Sequence, residues 1–140
     1  MDELTRELAR RLAGPAIGAA TPDPDEPVAW VDAGDEVIVR RRTLHARIEG
    51  GALLLTVELE TDQTGRHPLT VPFALSGTAG FTGHVYGDER LVARWGRTLQ
   101  DALWSALVRT AQDRASATGR QLRAMSLDAR HDALRIDTGP

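Results

Sequence analysis

The chain contains no lysine, no asparagine and no cysteine. Without lysine there is no Schiff-base or acyl-accepting amine. Without cysteine there is no thiol nucleophile, thiolate metal ligand or disulfide. All 17 basic residues are arginine. Aromatic residues are also scarce, at three Trp, two Phe and one Tyr, and offer no clear stacking platform of the kind that single-strand nucleic-acid binders use. The residue types that AT-rich codons specify, Lys, Asn, Ile, Phe and Tyr, are rare or missing together. A GC-rich coding sequence produces this composition, so a high-GC bacterium is the expected source. The longest plainly aliphatic run is Leu53-Leu54-Leu55, far short of a membrane span.

What is present fits an ordinary globular protein. A chain of 140 residues has the common size of one domain and should bury about two-thirds of its unfolded surface. Hydrophobic content of 41% and charged content of 26% suffice for a core without staples. The net charge of −3 argues against general phosphate affinity but allows a local basic patch. Acids outnumber arginines up to residue 88 and arginines dominate after it. Met1-Asp2-Glu3-Leu4 lacks the basic and apolar regions of a secretory signal, and cytoplasmic residence is expected.

Leu4, Leu8 and Leu12 recur at helical spacing, with Asp2 as N-cap and Gly14-Pro15 as stop, so residues 1–14 are expected to form an N-terminal helix. Its stripe is narrow, and so short a helix must dock on its own sheet or on a partner. Residues 15–27, with Thr21-Pro22-Asp23-Pro24-Asp25-Glu26-Pro27, form a stiff acidic linker that lacks the glycine of a calcium loop.

From Val28 the period falls to two, and residues 28–96 are expected to form antiparallel strands. Val28–Val31 and Glu36–Glu49 read as the first two. Ala52–Glu60 and the alternating Leu69, Val71, Phe73 and Leu75 form the best hairpin, with one buried face and one wet one. Pro68 and Pro72 cannot donate ladder bonds, which assigns their strand to an edge. In the second strand Val37 and Val39 are odd-numbered, whereas Leu44, Ala46 and Ile48 are even. A β-bulge near Arg40-Arg41-Arg42 would reconcile them, since three successive arginines are hard to bury. After the glycine-rich residues 76–83, His84–Tyr86 and Leu91–Trp95 around Gly87-Asp88 suggest a short hairpin closed by Gly96.

Residues 97–118 are expected to form a long helix, with Thr98 and Asp101 as a capping box and a broad stripe through Leu99, Leu103 and Leu107. Gly119 suits the position after its end. The segment 119–140 reads as a terminal hairpin, Gln121–Ala129 with Ala133–Asp137, in slight preference to a helix, and with a frayed end. The expected architecture is α+β: an antiparallel sheet of about five strands, one long helix on one face, and the short N-terminal amphipathic helix. Trp30, Trp95 and Trp104 lie on apolar faces and read first as core.

Candidate sites are few. Ser76, His84 and Asp88 are the only nearby serine, histidine and acid, with no nucleophile elbow around the serine. The spacing Gly77-x-x-Gly80-x-x-Gly83 matches neither the dinucleotide fingerprint nor a P-loop, which lysine would have to complete. His45, His67, His84 and His131 show no metal-ligand spacing, so neither a metal nor a cofactor is expected. Arg40, Arg41 and Arg42 alternate in direction on a strand, so the run is not one phosphate-binding patch, although it is the arginine cluster that a nucleic-acid reading would use. Arg120, Arg123, Arg130 and Arg135 are an alternative cationic surface.

Three functions from different classes follow. The first is a non-enzymatic protein-binding or assembly module, an adaptor, chaperone-like protein or complex subunit, expected as a homodimer. It would bind another protein or a second copy of itself through Leu4, Leu8 and Leu12 or through the strand of Pro68 and Pro72. The second is a small-ligand-binding domain or hydrolase using loop 76–88, with His84 as base oriented by Asp88. The third is a nucleic-acid accessory protein using its arginine clusters.

Overall fold

The computed structural model describes residues 2–12, 26–76 and 79–139, with the backbone alone for Ser76 and residues 79–82. Most of the acidic linker, the helix stop at Gly14-Pro15, and Gly77-Thr78 therefore lie outside the described residues. The fold is α+β. Helix α1 (Asp2–Arg11) precedes strands β1 (Val28–Asp32), β2 (Asp35–Glu49), β3 (Ala52–Thr61) and β4 (Gly65–Ser76). Strands β5 (Ala79–Thr82) and β6 (Tyr86–Gly87) lead to helix α2 (Glu89–Ala117), and β7 (Gln121–Asp128) and β8 (Ala133–Gly139) close the chain. The main sheet runs β1-β2-β3-β4-β5, all antiparallel, with β6 also on β4, while β7 and β8 form a separate hairpin.

Period-two alternation gives this sheet one dry face. Leu53, Leu55, Val57 and Leu59 of β3 meet Leu69, Val71 and Phe73 of β4 there, all fully buried. The opposite face carries Thr56 and Thr70, whose hydroxyls lie 2.7 Å apart, and the ion pair of Arg40 with Glu60 at 2.7 Å. Along α2, Leu91, Trp95, Leu99, Leu103 and Leu107 are buried and close over the dry side, where Trp104 stacks on Phe73 at 5.9 Å between ring centroids. Met125 and Leu134 of the terminal hairpin complete the same core. A buried leucine contributes about 1.5–3 kcal/mol, so this layer dominates the stability.

Several expectations change. Helix α2 begins at Glu89, not at residue 97: Asp88 is its N-cap, and its carboxylate accepts from the backbone N–H of Arg90 and Leu91 at 3.1 and 3.2 Å. The hairpin of His84–Tyr86 with Leu91–Trp95 does not form, because Leu91, Trp95 and Leu99 satisfy helical spacing. Gly96 lies inside the helix, packed beside Val85. At the other end Gly119 (φ 70°) takes the left-handed turn, so Arg120 N–H reaches Ala115 O at 3.0 Å and Gly119 N–H reaches Ser116 O at 2.9 Å, closing the helix as a Schellman motif. The terminal hairpin forms and extends to Gly139, so residues 137–139 are paired, not frayed.

Strand β4 is not the edge that its prolines suggested. It lies between β3 and the short β5 and β6. Pro72 O accepts from Gly83 N–H at 3.2 Å, so the missing donor of Pro72 faces the β5/β6 side. A proline there breaks the ladder instead of forbidding it, consistent with two short partners in place of one long one. Among the described residues, no helix is long and apolar enough to cross a membrane.

Candidate binding edge

Unequal strand lengths leave part of one side of β2 without a strand partner among the described residues. Strand β2 has 15 residues and β1 only five, and their pairing ends at Val28 opposite Val39. Beyond Val39, no strand covers that side of β2 among the described residues. At its far end β2 turns into β3 through Gly50-Gly51, both with positive φ (60° and 78°), as a two-residue hairpin of primed type requires. Such a turn closes on a hydrogen-bonded pair, here Glu49 with Ala52. Alternation then turns the N–H and C=O groups of Ile48 and Ala46 away from β3. No described residue bonds to them there.

The bulge shapes this edge. The register of β2 on β3 shifts between Arg40 and His45, which lets Val37 and Val39 share the dry face with Leu44, Ala46 and Ile48. Within the shift Thr43 replaces ladder bonds: its hydroxyl donates to Arg40 O at 2.6 Å and accepts from Glu58 N–H at 2.8 Å. Arg41, however, is buried at 1% exposure. Its guanidinium donates to Ala9 O in the last turn of α1 at 3.1 Å and to Glu26 O at 3.0 Å. It thereby satisfies carbonyls that strand and helix ends leave open. The reasoning that arginines here resist burial fails for this one, because carbonyl partners stand where water would.

Helix α1 lies against β2, and a groove of about 280 Å³ separates them. Asp2, Thr5, Arg6 and Ala9 form one wall, and Arg42, Leu44, His45 and Ala46 the other, with Arg41 between. Arg6 and Arg42 are exposed and form no ion pair among the described residues. Arg47 is 3.2 Å from Glu49, and the His45 ring nitrogen Nδ1 is 3.2 Å from Thr43 O. The rim thus carries two guanidinium groups that form no ion pair among the described residues, against the one carboxylate of Asp2.

The candidate residues read from sequence are distributed differently. Leu4, Leu8 and Leu12, proposed as a docking face, are buried at 3%, 0% and 0%; the chain's own core takes that face. Pro68 is exposed and Pro72 half-buried, but both sit on the interior strand β4. Arg40 pairs with Glu60 on the wet face, Arg41 is buried and Arg42 lies on the groove, so the three form no single phosphate-binding patch. Asp88 caps α2 and has His67, at 3.8 Å, as its histidine neighbour. No hydrogen bond or ion pair joins it to His84, which is exposed, and the Ser76 side chain lies outside the described residues. Arg120, Arg123, Arg130 and Arg135 are exposed. No group of three or more metal-ligating side chains forms among the described residues.

A second cleft, of about 530 Å³, opens where the β1–β2 and β3–β4 turns meet the start of α2. Among its charged lining residues, Arg94 and Asp35 engage one another. Arg94 donates to Asp35 at 2.7 Å and to Asp32 at 3.1 Å and lies over the Trp95 ring at 4.5 Å. These two carboxylates raise the Arg94 pKa further. Hydrogen bonding from Arg40 holds the Glu60 carboxyl below its usual range. Arg94 fastens the β1–β2 turn to α2, and Arg90, donating to Gln63 O at 3.3 Å, fastens the β3–β4 turn.

The side of β2 that no described strand covers was missed from sequence, although a signal was present. A strand from residue 36 to 49 beside one from 28 to 31 must leave part of one side uncovered. Comparison of the chain with protein-family models, with curated proteins and with solved structures finds no match.

Proposed function

We propose that the chain is a non-enzymatic protein-binding or assembly module, an adaptor, chaperone-like protein or complex subunit, working in the cytoplasm of a high-GC bacterium. The observation that carries this reading is the side of β2 that no described strand covers, where Ala46 and Ile48 present main-chain donors and acceptors beside the α1 groove. An unpaired edge is a template for an added strand, and main-chain bonding gives affinity without any reactive group. Two further observations support the reading over its rivals. The carboxylate of Asp88 is occupied as a helix cap, and Arg40, Arg41 and Arg42 point to three different surroundings. The bound species is another protein or a second copy of the chain.

Crosslinking in the native host tests this with the full chain and an Ala46→Pro variant. Proline removes the outward N–H and is tolerated on an open strand side. Partners retained by the parent and lost by the variant, with the circular dichroism unchanged, are the expected result. An identical set of partners for both would contradict the reading.

A further inference from the structure

Strand addition at this edge would alternate the side chains of the incoming segment between two environments. On the dry side they enter the groove above Leu44 and Ala46, where space is limited to about 280 Å³ and small apolar groups fit. On the wet side they run beside His45 and Arg47, with Arg42 at the bulge. Charges on the rim are Arg6, Arg42 and Arg47 against Asp2 and Glu49, and Glu49 is already taken by Arg47. Arg6 and Arg42 then stand against Asp2 alone, so the rim keeps an excess of positive charge on a chain whose net charge is −3.

We infer that the edge of β2 left uncovered among the described residues takes, as an added strand, an extended segment in which carboxylates alternate with small apolar side chains. The inference rests on the protein-binding reading above and specifies the chemistry of the partner. A carboxylate on the wet side beside Arg42 would form charge-assisted hydrogen bonds, and opposite charges across neighbouring strands stabilise pairing.

A second copy fits this edge less well. Antiparallel self-pairing centred on Ala46 sets Arg47 opposite the second copy's His45, which offers no counter-charge, and centring on Arg47 sets two arginines face to face. Like charges directly opposite destabilise a strand pair. Only a register centred on Ile48 pairs Arg47 with Glu49, and it leaves Leu44 and the groove uncovered.

Fluorescence anisotropy with the full chain tests this, using three end-blocked peptides that alternate valine with glutamate, threonine or lysine. The glutamate peptide is expected to bind about tenfold more tightly than the threonine peptide, a difference of roughly 1.4 kcal/mol, and to lose that advantage at high salt. The Arg6→Glu/Arg42→Glu double variant alters only exposed side chains and is expected to prefer the lysine peptide. Ala46→Pro should abolish binding of all three.

Equal affinity for the glutamate and threonine peptides overturns the acidic preference. If Ala46→Pro still removes that binding, the protein-binding edge itself stands. Failure of all three peptides, with sedimentation showing a dimer that Ala46→Pro disperses, assigns the edge to a second copy and overturns the inference. Failure of all three on a monomeric chain overturns it as well; the host crosslinking then decides the broader reading separately.

Discussion

The guanidinium of Arg41 donates to the carbonyl of Ala9 across 32 residues of sequence, at 3.1 Å and out of contact with water. This bond joins the last turn of α1 to the bulge of β2, and a second bond from the same side chain holds Glu26 at 3.0 Å. One arginine therefore positions the helix that forms a wall of the groove and the chain entering β1.

Replacing Arg41 with methionine keeps the stem and removes both bonds. Each charge-assisted bond contributes about 1.5–3 kcal/mol, and an unsatisfied carbonyl in the interior adds to the cost. The expected loss is about 3 kcal/mol in urea unfolding, with faster exchange of the α1 amides. A loss below about 1 kcal/mol would show that the carbonyls find water or other donors.

Gly96 offers the opposite case. It is buried within α2, and an added Cβ would meet Val92 Cγ1 at 3.5 Å and Val85 Cβ at 3.7 Å, ordinary contact distances. Glycine costs a helix interior about 0.5–1 kcal/mol relative to alanine. Gly96→Ala should therefore stabilise the chain by about that amount, raising Tm by a few degrees. A lower Tm would mean that the segment around Val85 needs closer approach than these distances imply.

The Glu60 carboxyl, hydrogen-bonded by Arg40, sits below its ordinary value of 4.5. A depressed folded-state value makes its contribution to stability fully present above that ordinary value, and the contribution disappears as pH falls through the folded value. A carbon-13 NMR titration should place Glu60 below 4.5 in the parent chain and nearer to it in Arg40→Gln. An unchanged midpoint in the variant would remove Arg40 as the main cause.

How much was legible in the sequence depends on the range of the interactions. Alternation from Leu53 to Leu59 and from Leu69 to Leu75 fixed the dry face, and the parity conflict between Val39 and Leu44 located the bulge. Gly96 misled because glycine in isolation reads as a break, whereas Asp88 and the spacing of Leu91, Trp95 and Leu99 outweigh it. Pro68 and Pro72 were rightly seen as unable to donate, but which neighbour that silenced depended on the pairing of β4 with β3. Burial of Arg41 requires carbonyls from Ala9 and Glu26, and nothing local announces them. The side of β2 left uncovered among the described residues is a relation between two strand lengths that alternation already suggested, and it emerges when the two are set side by side.

Amide hydrogen exchange along β2 tests the central claim most directly. In the free chain Ala46 and Ile48 should exchange quickly while Arg47 and Glu49, bonded to β3, exchange slowly; adding the acidic peptide should slow Ala46 and Ile48 selectively. Equal protection of all four amides in the free chain, or no change at Ala46 and Ile48 with peptide bound, would contradict the account.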